Sequence, residues 1–174
     1  MEETRVALKT ERLMLLAPTQ KELAAAARDP AALPQRLRME IQSGNDREFY
    51  KNKKTIYRAK SLLMETVGGD WPFCTAWQIA RDGFLVGEAG FKGPPDESGE
   101  LEIGYGLRKN QRGMGYMTEA VTALCRYAFA DNRVSSVVAV TKWSNRASHR
   151  VLLRCGFRRD GFCGFHFLWR LTRR

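Results

Sequence analysis

Between Leu101 and Phe129 the spacing of apolar residues changes period. Leu101, Ile103, Tyr105 and Leu107 alternate with Glu102, Gly104 and Gly106, which is the period of a strand. Residues 108–115, RKNQRGMG, are polar and carry Gly113 and Gly115. From Tyr116 onward Met117, Val121, Leu124 and Ala128 recur at helical spacing on one face. The predicted unit is a strand, a glycine loop and a helix, and the rest of the chain arranges itself around it.

Upstream, Arg12 to Leu16 reads as a first strand that stops at Pro18. Thr19-Gln20-Lys21-Glu22 is a capping-box pattern for an alanine-rich helix to about Arg28. Asp29-Pro30 restarts a helix, with Asp29 as cap, that runs to Ser43-Gly44. Asn45 or Asp46 then caps one long helix to about Val67, with Phe49, Ile56, Leu63 and Val67 near one face. Lys51, Lys53, Lys54, Arg58 and Lys60 fall on its polar side, and Gly68-Gly69 ends it. Trp71-Pro72-Phe73 is an apolar loop, Cys74 to Ala80 a strand, Asp82-Gly83 a hairpin turn and Phe84 to Phe91 the returning strand. Gly93 to Gly99 is a loop, so three antiparallel strands run in sequence. Downstream, Val137 to Val140 is a uniformly apolar run suited to a strand buried on both faces, parallel to the Leu101 strand because a helix links them. Asn145 to Arg154 is the last helix, with Ala147, Val151 and Leu152 inward and Gly156 at its end. Phe162 to Leu171, with Phe165, Phe167 and Trp169 in step, makes a terminal hairpin or strand. The pattern is that of a mixed α/β chain, and its 174 residues make a single domain the default.

Composition narrows the options. A hydrophobic content of 44% and a charged content of 28% are ordinary for a globular protein. No apolar run approaches the roughly 20 residues a membrane span needs, and MEETRVALK lacks the apolar segment of a secretory signal, so a cytoplasmic location is expected. The four cysteines form no C-x-x-C pair and there are two histidines, which argues against a metal site. Cys125 and Cys155 fall on apolar helix faces and His149 on an exposed one, while the tryptophans read as core or pocket wall. The net charge of +10 is spread from Arg5 to Arg174 with no nucleic-acid-binding signature, so it reads as a solvated basic surface that also attracts an anionic ligand.

Chemistry concentrates at the glycine loop. The open N–H groups at the start of a helix attract anions, and glycines let a phosphate approach the backbone. A P-loop requires Gly-Lys-Ser/Thr, but Gly115 is followed by Tyr116. A dinucleotide fingerprint requires G-x-G-x-x-G, but position 118 is threonine. A tight strand-to-helix turn without a ligand is the plain alternative.

Asn110 to Ala120, NQRGMGYMTEA, resembles the acyl-CoA pyrophosphate loop of the GNAT acetyltransferase superfamily, Q/R-x-x-G-x-G/A, with Gly113 and Gly115 at the glycine positions and Asn110 where Gln or Arg is usual. Phe91 to Pro95 followed by Leu101 to Tyr105, Asn145-Arg146-Ala147-Ser148 with Gly156-Phe157, and Thr10 to Leu13 are similar to the Rim-like branch, which includes ribosomal-protein N-terminal acetyltransferases. The resemblance implies the GNAT fold: a mostly antiparallel sheet flanked by helices, with a splayed parallel strand pair that receives the pantetheine arm and acyl group. It implies acetyl transfer from acetyl-CoA to a primary amine, a protein N-terminus or a small molecule, by direct attack in a ternary complex. Acetyl-CoA serves as co-substrate and no metal takes part.

The same resemblance implies the site residues. Backbone amides of Arg112, Gly113, Met114, Gly115, Tyr116 and Met117 hold the diphosphate. The Leu107 amide faces the developing oxyanion, and Asn145 caps its helix and meets the pantetheine. Amide formation needs a base for the amine. Glu102, on the strand leading into the loop, is the first candidate and Glu88 the second, with a salt-bridged strand-face glutamate as the alternative for Glu102. The tyrosine that many members use as thiolate acid is replaced by Leu152. Ser148 is the candidate group at the sulfur, or else a helix serine bonded to its own turn. The helices before the second strand wall the acceptor pocket. A non-catalytic acyl-CoA sensor, or a basic nucleic-acid-associated module, is the competing reading. The acceptor and the oligomeric state, monomer or homodimer, stay open.

Overall fold

The computed structural model describes residues 5–44 and 46–173. One sheet of eight strands crosses the molecule in the order β1-β2-β3-β4-β5-β6-β8-β7. The strands are β1 (Ala7–Lys9), β2 (Met14–Leu16), β3 (Trp77–Arg81), β4 (Phe84–Phe91), β5 (Glu100–Leu107), β6 (Ser136–Lys142), β7 (Arg158–Cys163) and β8 (His166–Thr172). Neighbours are antiparallel except β5 and β6, which run parallel as the helix between them requires. The helices are α1 (Gln20–Ala26), α2 (Leu33–Arg36), α3 (Arg47–Tyr50), α4 (Lys53–Met64), α5 (Tyr116–Phe129) and α6 (Arg146–Arg154).

Both faces of the sheet are covered, which is why its central strands read as nearly continuous apolar runs. One core joins Trp77, Ile79, Val86, Leu101, Ile103 and Val137 to Met117, Val121 and Leu124 of α5. The second joins Ala76, Ala80 and Leu85 to Leu23 of α1, Leu33 of α2, and Tyr57 and Met64 of α4. The Thr19 capping box forms in both directions, and Asp29 accepts from the Ala31 amide at 3.2 Å. The unit from Leu101 to Phe129 has the predicted order, and α5 begins at Tyr116 and ends at Phe129.

Other elements differ from the sequence reading. The helix after Pro30 stops at Arg36: Arg38 takes a left-handed φ of 57°, and Glu40 then bridges to Phe84 at the sheet. The long helix expected over 46–67 is broken. Lys51 is extended and Asn52 adopts φ 63°, a conformation asparagine tolerates better than most residues. The break turns α4 so that Lys53, Tyr57, Ser61 and Met64 are buried while Ile56 is exposed. Asn45, one of the two expected caps, lies outside the described residues. β1 has no counterpart in the sequence reading, and β3 starts at Trp77 rather than Cys74. Ala147 is exposed rather than inward, Trp143 is exposed at 64%, and His149 is half-buried against Phe167 and Trp169.

Candidate active site

β5 and β6 pair only from Glu100↔Ser136 to Glu102↔Val138. Beyond that, β5 stays with β4 as far as Leu107↔Gly87, and β6 stays with β8 as far as Lys142↔His166. The sheet therefore opens between them. Lys92 donates its amide to Glu102 O, and Arg108 donates its amide to Val86 O. Antiparallel alternation between these two bonds turns the N–H groups of Gly104 and Gly106 toward β4. The N–H groups of Tyr105 and Leu107 face the opening.

Two cavities flank the opening. One, of about 550 Å³, lies on the α6 side and is lined by Gly113, Gly115, Met117, Thr118, Asn145 and Ser148 among others. The other, of about 610 Å³, lies on the α4 side and is lined by Phe49, Lys53, Ile56, Lys60, Leu63, Glu88 and Phe91 among others. They meet at Glu48, Tyr105, Gly106, Leu107 and Arg112. A Cβ at Gly104 or Gly106 would meet no atom within 4 Å, so the strand offers bare backbone there.

The loop before α5 is held from behind and open in front. Arg108 is fully buried, with Nε and Nη2 on Asp46 Oδ2 at 3.0 and 2.6 Å and Nη1 on Leu85 O at 3.1 Å. Gly113 and Gly115 take φ of 83° and 79°, the left-handed region that glycine enters without penalty. Among the described residues, the amides of positions 112–118 donate to no backbone or side-chain acceptor. This is a row of free donors at a helix N-terminus, the arrangement that suits a diphosphate. Tyr116 contributes only its amide, since its ring is buried between Arg12 and Arg81.

Glu119 braces this loop against the N-terminal strands. Its carboxylate accepts from Thr10 Oγ1 at 2.5 Å, the Arg12 amide at 2.8 Å and Arg12 Nε at 2.8 Å, while Arg12 Nη1 reaches Met114 O at 3.0 Å. Burial works to raise its pKa, but the hydrogen bonds from Thr10 and Arg12 outweigh it and hold the carboxyl below its ordinary value of 4.5. A carboxyl depressed on folding stabilises above its unfolded pKa, and the benefit is lost as pH falls through the folded value. Glu119→Gln is therefore expected to lower the melting temperature at neutral pH. The gap to wild type should shrink in a melting series taken below pH 4.5. A gap that is constant with pH would contradict the brace.

On α6, Asn145 accepts from the Ser148 amide at 3.1 Å and so caps the helix, with its side chain at the cavity wall. Ser148 lines the same cavity, and its carbonyl accepts from Tyr105 Oη at 3.3 Å. Burial pushes the Tyr105 phenol up, which keeps it protonated. Leu152 is fully buried and does not reach the cavity.

On the α4 side, Glu88 is buried at 9% exposure opposite its register partner Gly106. It accepts from Tyr57 Oη at 2.6 Å and Gln78 Nε2 at 3.2 Å, and it pairs with Lys53 Nζ. Burial, and after it Glu88, raises the Tyr57 phenol, so Tyr57 remains a donor. Lys60 Nζ donates to the carbonyls of Phe91, Cys74 and Thr75 at 2.6, 3.1 and 3.3 Å, and burial lowers its pKa to about 8 against the pull of Glu88. Glu102 is elsewhere: it is paired with Lys92 Nζ at 2.5 Å and borders neither cavity. A surface ion pair is worth about 0–1 kcal/mol. Because Glu102 borders neither cavity, Glu102→Gln is expected to leave steady-state turnover near the wild-type value, and a loss of several hundredfold would return it to the chemistry.

The structure brings Leu107, Arg112, Gly113, Gly115, Met117, Asn145 and Ser148 to one cavity and leaves Glu102 outside it. Lys53, Tyr57, Tyr105 and Arg108 were missed by sequence reasoning. The polar residue at each of these positions looked either solvated or structural, and only the break at Asn52 and the depth of the loop bring them inward.

An opened parallel pair, a glycine loop with free amides and a carboxylate facing bare backbone thus share one cleft. Residues 12–158 match the family described as "Acetyltransferase (GNAT) domain", and the chain belongs to the GNAT acetyltransferase family. It is 36% identical over 80 residues to the uncharacterized N-acetyltransferase YjdG of Bacillus subtilis (strain 168), covering 45% of this chain and 48% of that one. It is 32% identical over 77 residues to the uncharacterized N-acetyltransferase p20 of Bacillus licheniformis, covering 44% and 43%. The chain thus matches about half the length of these curated relatives. In fold it is similar to RimL, a ribosomal L7/L12 alpha-N-protein acetyltransferase solved with coenzyme A, at TM-score 0.68 and 16% identity over 96% of this chain and 98% of that one. It is also similar to the microcin C7 self-immunity acetyltransferase MccE, solved with acetyl-CoA and AMP, at TM-score 0.67 and 17% identity over 94% of each chain.

Proposed function

We propose that the protein transfers an acetyl group from acetyl-CoA to a primary amine by direct attack within a ternary complex. The observation that carries this reading is the meeting of the two cavities over Gly106, with free loop amides on one side and Glu88 on the other.

In this reading the amides of Arg112, Gly113, Met114, Gly115, Tyr116 and Met117 bind the diphosphate. Asn145 guides the pantetheine along α6, which brings the thioester to the opening between β5 and β6. The Leu107 N–H, turned toward that opening, donates to the carbonyl oxygen as charge develops on it. Glu88 takes the proton of the attacking amine, a role for which its place in the cavity suits it better than Glu102. Ser148, which lines the α6-side cavity, donates to the departing sulfur. An alkyl thiol has a pKa of roughly 8 to 9, so solvent completes its protonation. The apolar walls Phe49, Ile56, Leu63 and Phe91 favour an amine attached to an apolar body.

The test is thiol release from acetyl-CoA against a panel of N-terminal peptides and small primary amines, with each product identified by mass. Saturable turnover of one amine class supports the reading. Tight acetyl-CoA binding with no amine turned over would support an acyl-CoA sensor instead.

A further inference from the structure

The α4-side cavity already contains a primary amine. We propose that Lys53 is a substrate within the chain: with no other acceptor present, its Nζ takes the acetyl group from bound acetyl-CoA. This rests on the acyltransferase reading above and extends it to a modification site.

Position comes first. Lys53 opens α4, and the left-handed Asn52 before it turns its side chain in toward the sheet. The side chain is 10% exposed. Nζ donates to Glu88 Oε1 and lies 4.7 Å from the Phe49 ring centroid and 5.9 Å from that of Tyr57. A carboxylate with two aromatic faces is the chemistry that receives an alkylammonium ion. Lys53 thus occupies the place of an incoming amine, in contact with the group that would deprotonate it.

Reach comes second. Glu88 and Gly106 are register partners, and hydrogen-bonded antiparallel partners have Cα atoms about 5.5 Å apart. Gly106 lies where the two cavities join and carries no side chain to intervene. Burial lowers the pKa of the neighbouring amine, Lys60, to about 8, which on that ground alone would favour it as a nucleophile. Its Nζ, however, is held by three backbone carbonyls, including that of Phe91. Phe91 is three residues along β4 from Glu88, about 10 Å from the junction. Geometry therefore selects Lys53.

The step balances without a further reactant. Glu88 accepts a proton from the Lys53 ammonium, and the freed lone pair forms the N–C bond. The C–S bond breaks, its electron pair leaves on sulfur, and the thiolate is protonated. Lys53 ammonium and acetyl-CoA give N-acetyl-Lys53, coenzyme A and a proton. The product amide is uncharged, so Glu88 loses its cation and the acetyl group fills the acceptor cavity.

The test is incubation of the full chain with acetyl-CoA alone, followed by intact mass and peptide mapping, with calorimetric acetyl-CoA binding on the same sample. The expected result is a single acetyl group on Lys53, gained at a rate independent of protein concentration because the amine is buried. Glu88→Gln should slow it about a hundredfold, and Lys53→Arg should abolish it. Acetyl groups on Lys60 or on exposed lysines with Lys53 unmodified, or a rate proportional to protein concentration, would overturn it. Binding without modification of Lys53 removes self-acetylation and leaves the acyltransferase reading standing; no binding removes both. The wild-type map decides the matter even where Glu88→Gln fails to fold.

Discussion

Gly113→Asp is expected to weaken acetyl-CoA binding about a thousandfold while leaving the chain folded. The substitution sets a carboxylate among amides that are free to bind a diphosphate. Two unit charges about 4 Å apart interact by about 4 kcal/mol at the effective dielectric of a protein surface, which is close to three decades in affinity. The fold has less to lose. A Cβ at Gly113 would meet no atom within 4 Å, so nothing clashes. The left-handed φ of 83° costs a side-chain-bearing residue about 1–2 kcal/mol, with aspartate among the tolerant types. For a chain of this size that is a drop of a few degrees in melting temperature. Gly113→Asn separates the two terms, since it pays the same conformational cost without the charge. It should retain binding within about tenfold of wild type. Calorimetry on the pair, with melting curves as control, checks the result; equal losses in both would trace the effect to backbone geometry instead of charge.

Glu88→Gln is expected to lower kcat by about 10²–10⁴ with acetyl-CoA affinity unchanged. Its carboxylate faces the α4-side cavity opposite Gly106, and glutamine cannot accept the amine proton. Glu88 also pairs with a buried lysine, and removing one partner of such a pair costs about 3–5 kcal/mol. Glutamine keeps an oxygen for Tyr57 and Lys53, so the stability loss should fall at or below the lower end. The separation of kcat from donor affinity distinguishes a chemical role from a structural one. A variant that melts earlier but turns over at the wild-type rate would make Glu88 a packing residue.

The strand, glycine loop and helix at the centre of the candidate site were readable in the sequence because they are local. The change of period at Leu107, two glycines in eight residues and the helix from Tyr116 are all specified by neighbours along the chain. The same is true of the Thr19 capping box and of Asn145 as a helix cap. The α4-side cavity was not readable, because it is assembled from a distance. Lys53 carries the signature of a solvated lysine and becomes buried only because Glu88, 35 residues away, faces it. The break at Asn52 that aims it has no proline or glycine to announce it. Arg108 looked like one cation of a polar loop, yet Asp46 draws it fully inside. Alternation along the Leu101 strand could not separate Glu102 from Glu88 as candidate base. Both lie on the cleft face of their strands, but the opening begins only after Glu102, where β6 leaves. Where a parallel pair parts is a property of two strands and is written in neither alone.

The most direct measurement is a crystal structure of the protein with acetyl-CoA. The account requires diphosphate oxygens about 3 Å from the amide nitrogens between Gly113 and Met117, with the thioester lying over Gly106 toward Glu88. A diphosphate bound away from that loop, or a thioester that never reaches Gly106, would contradict it.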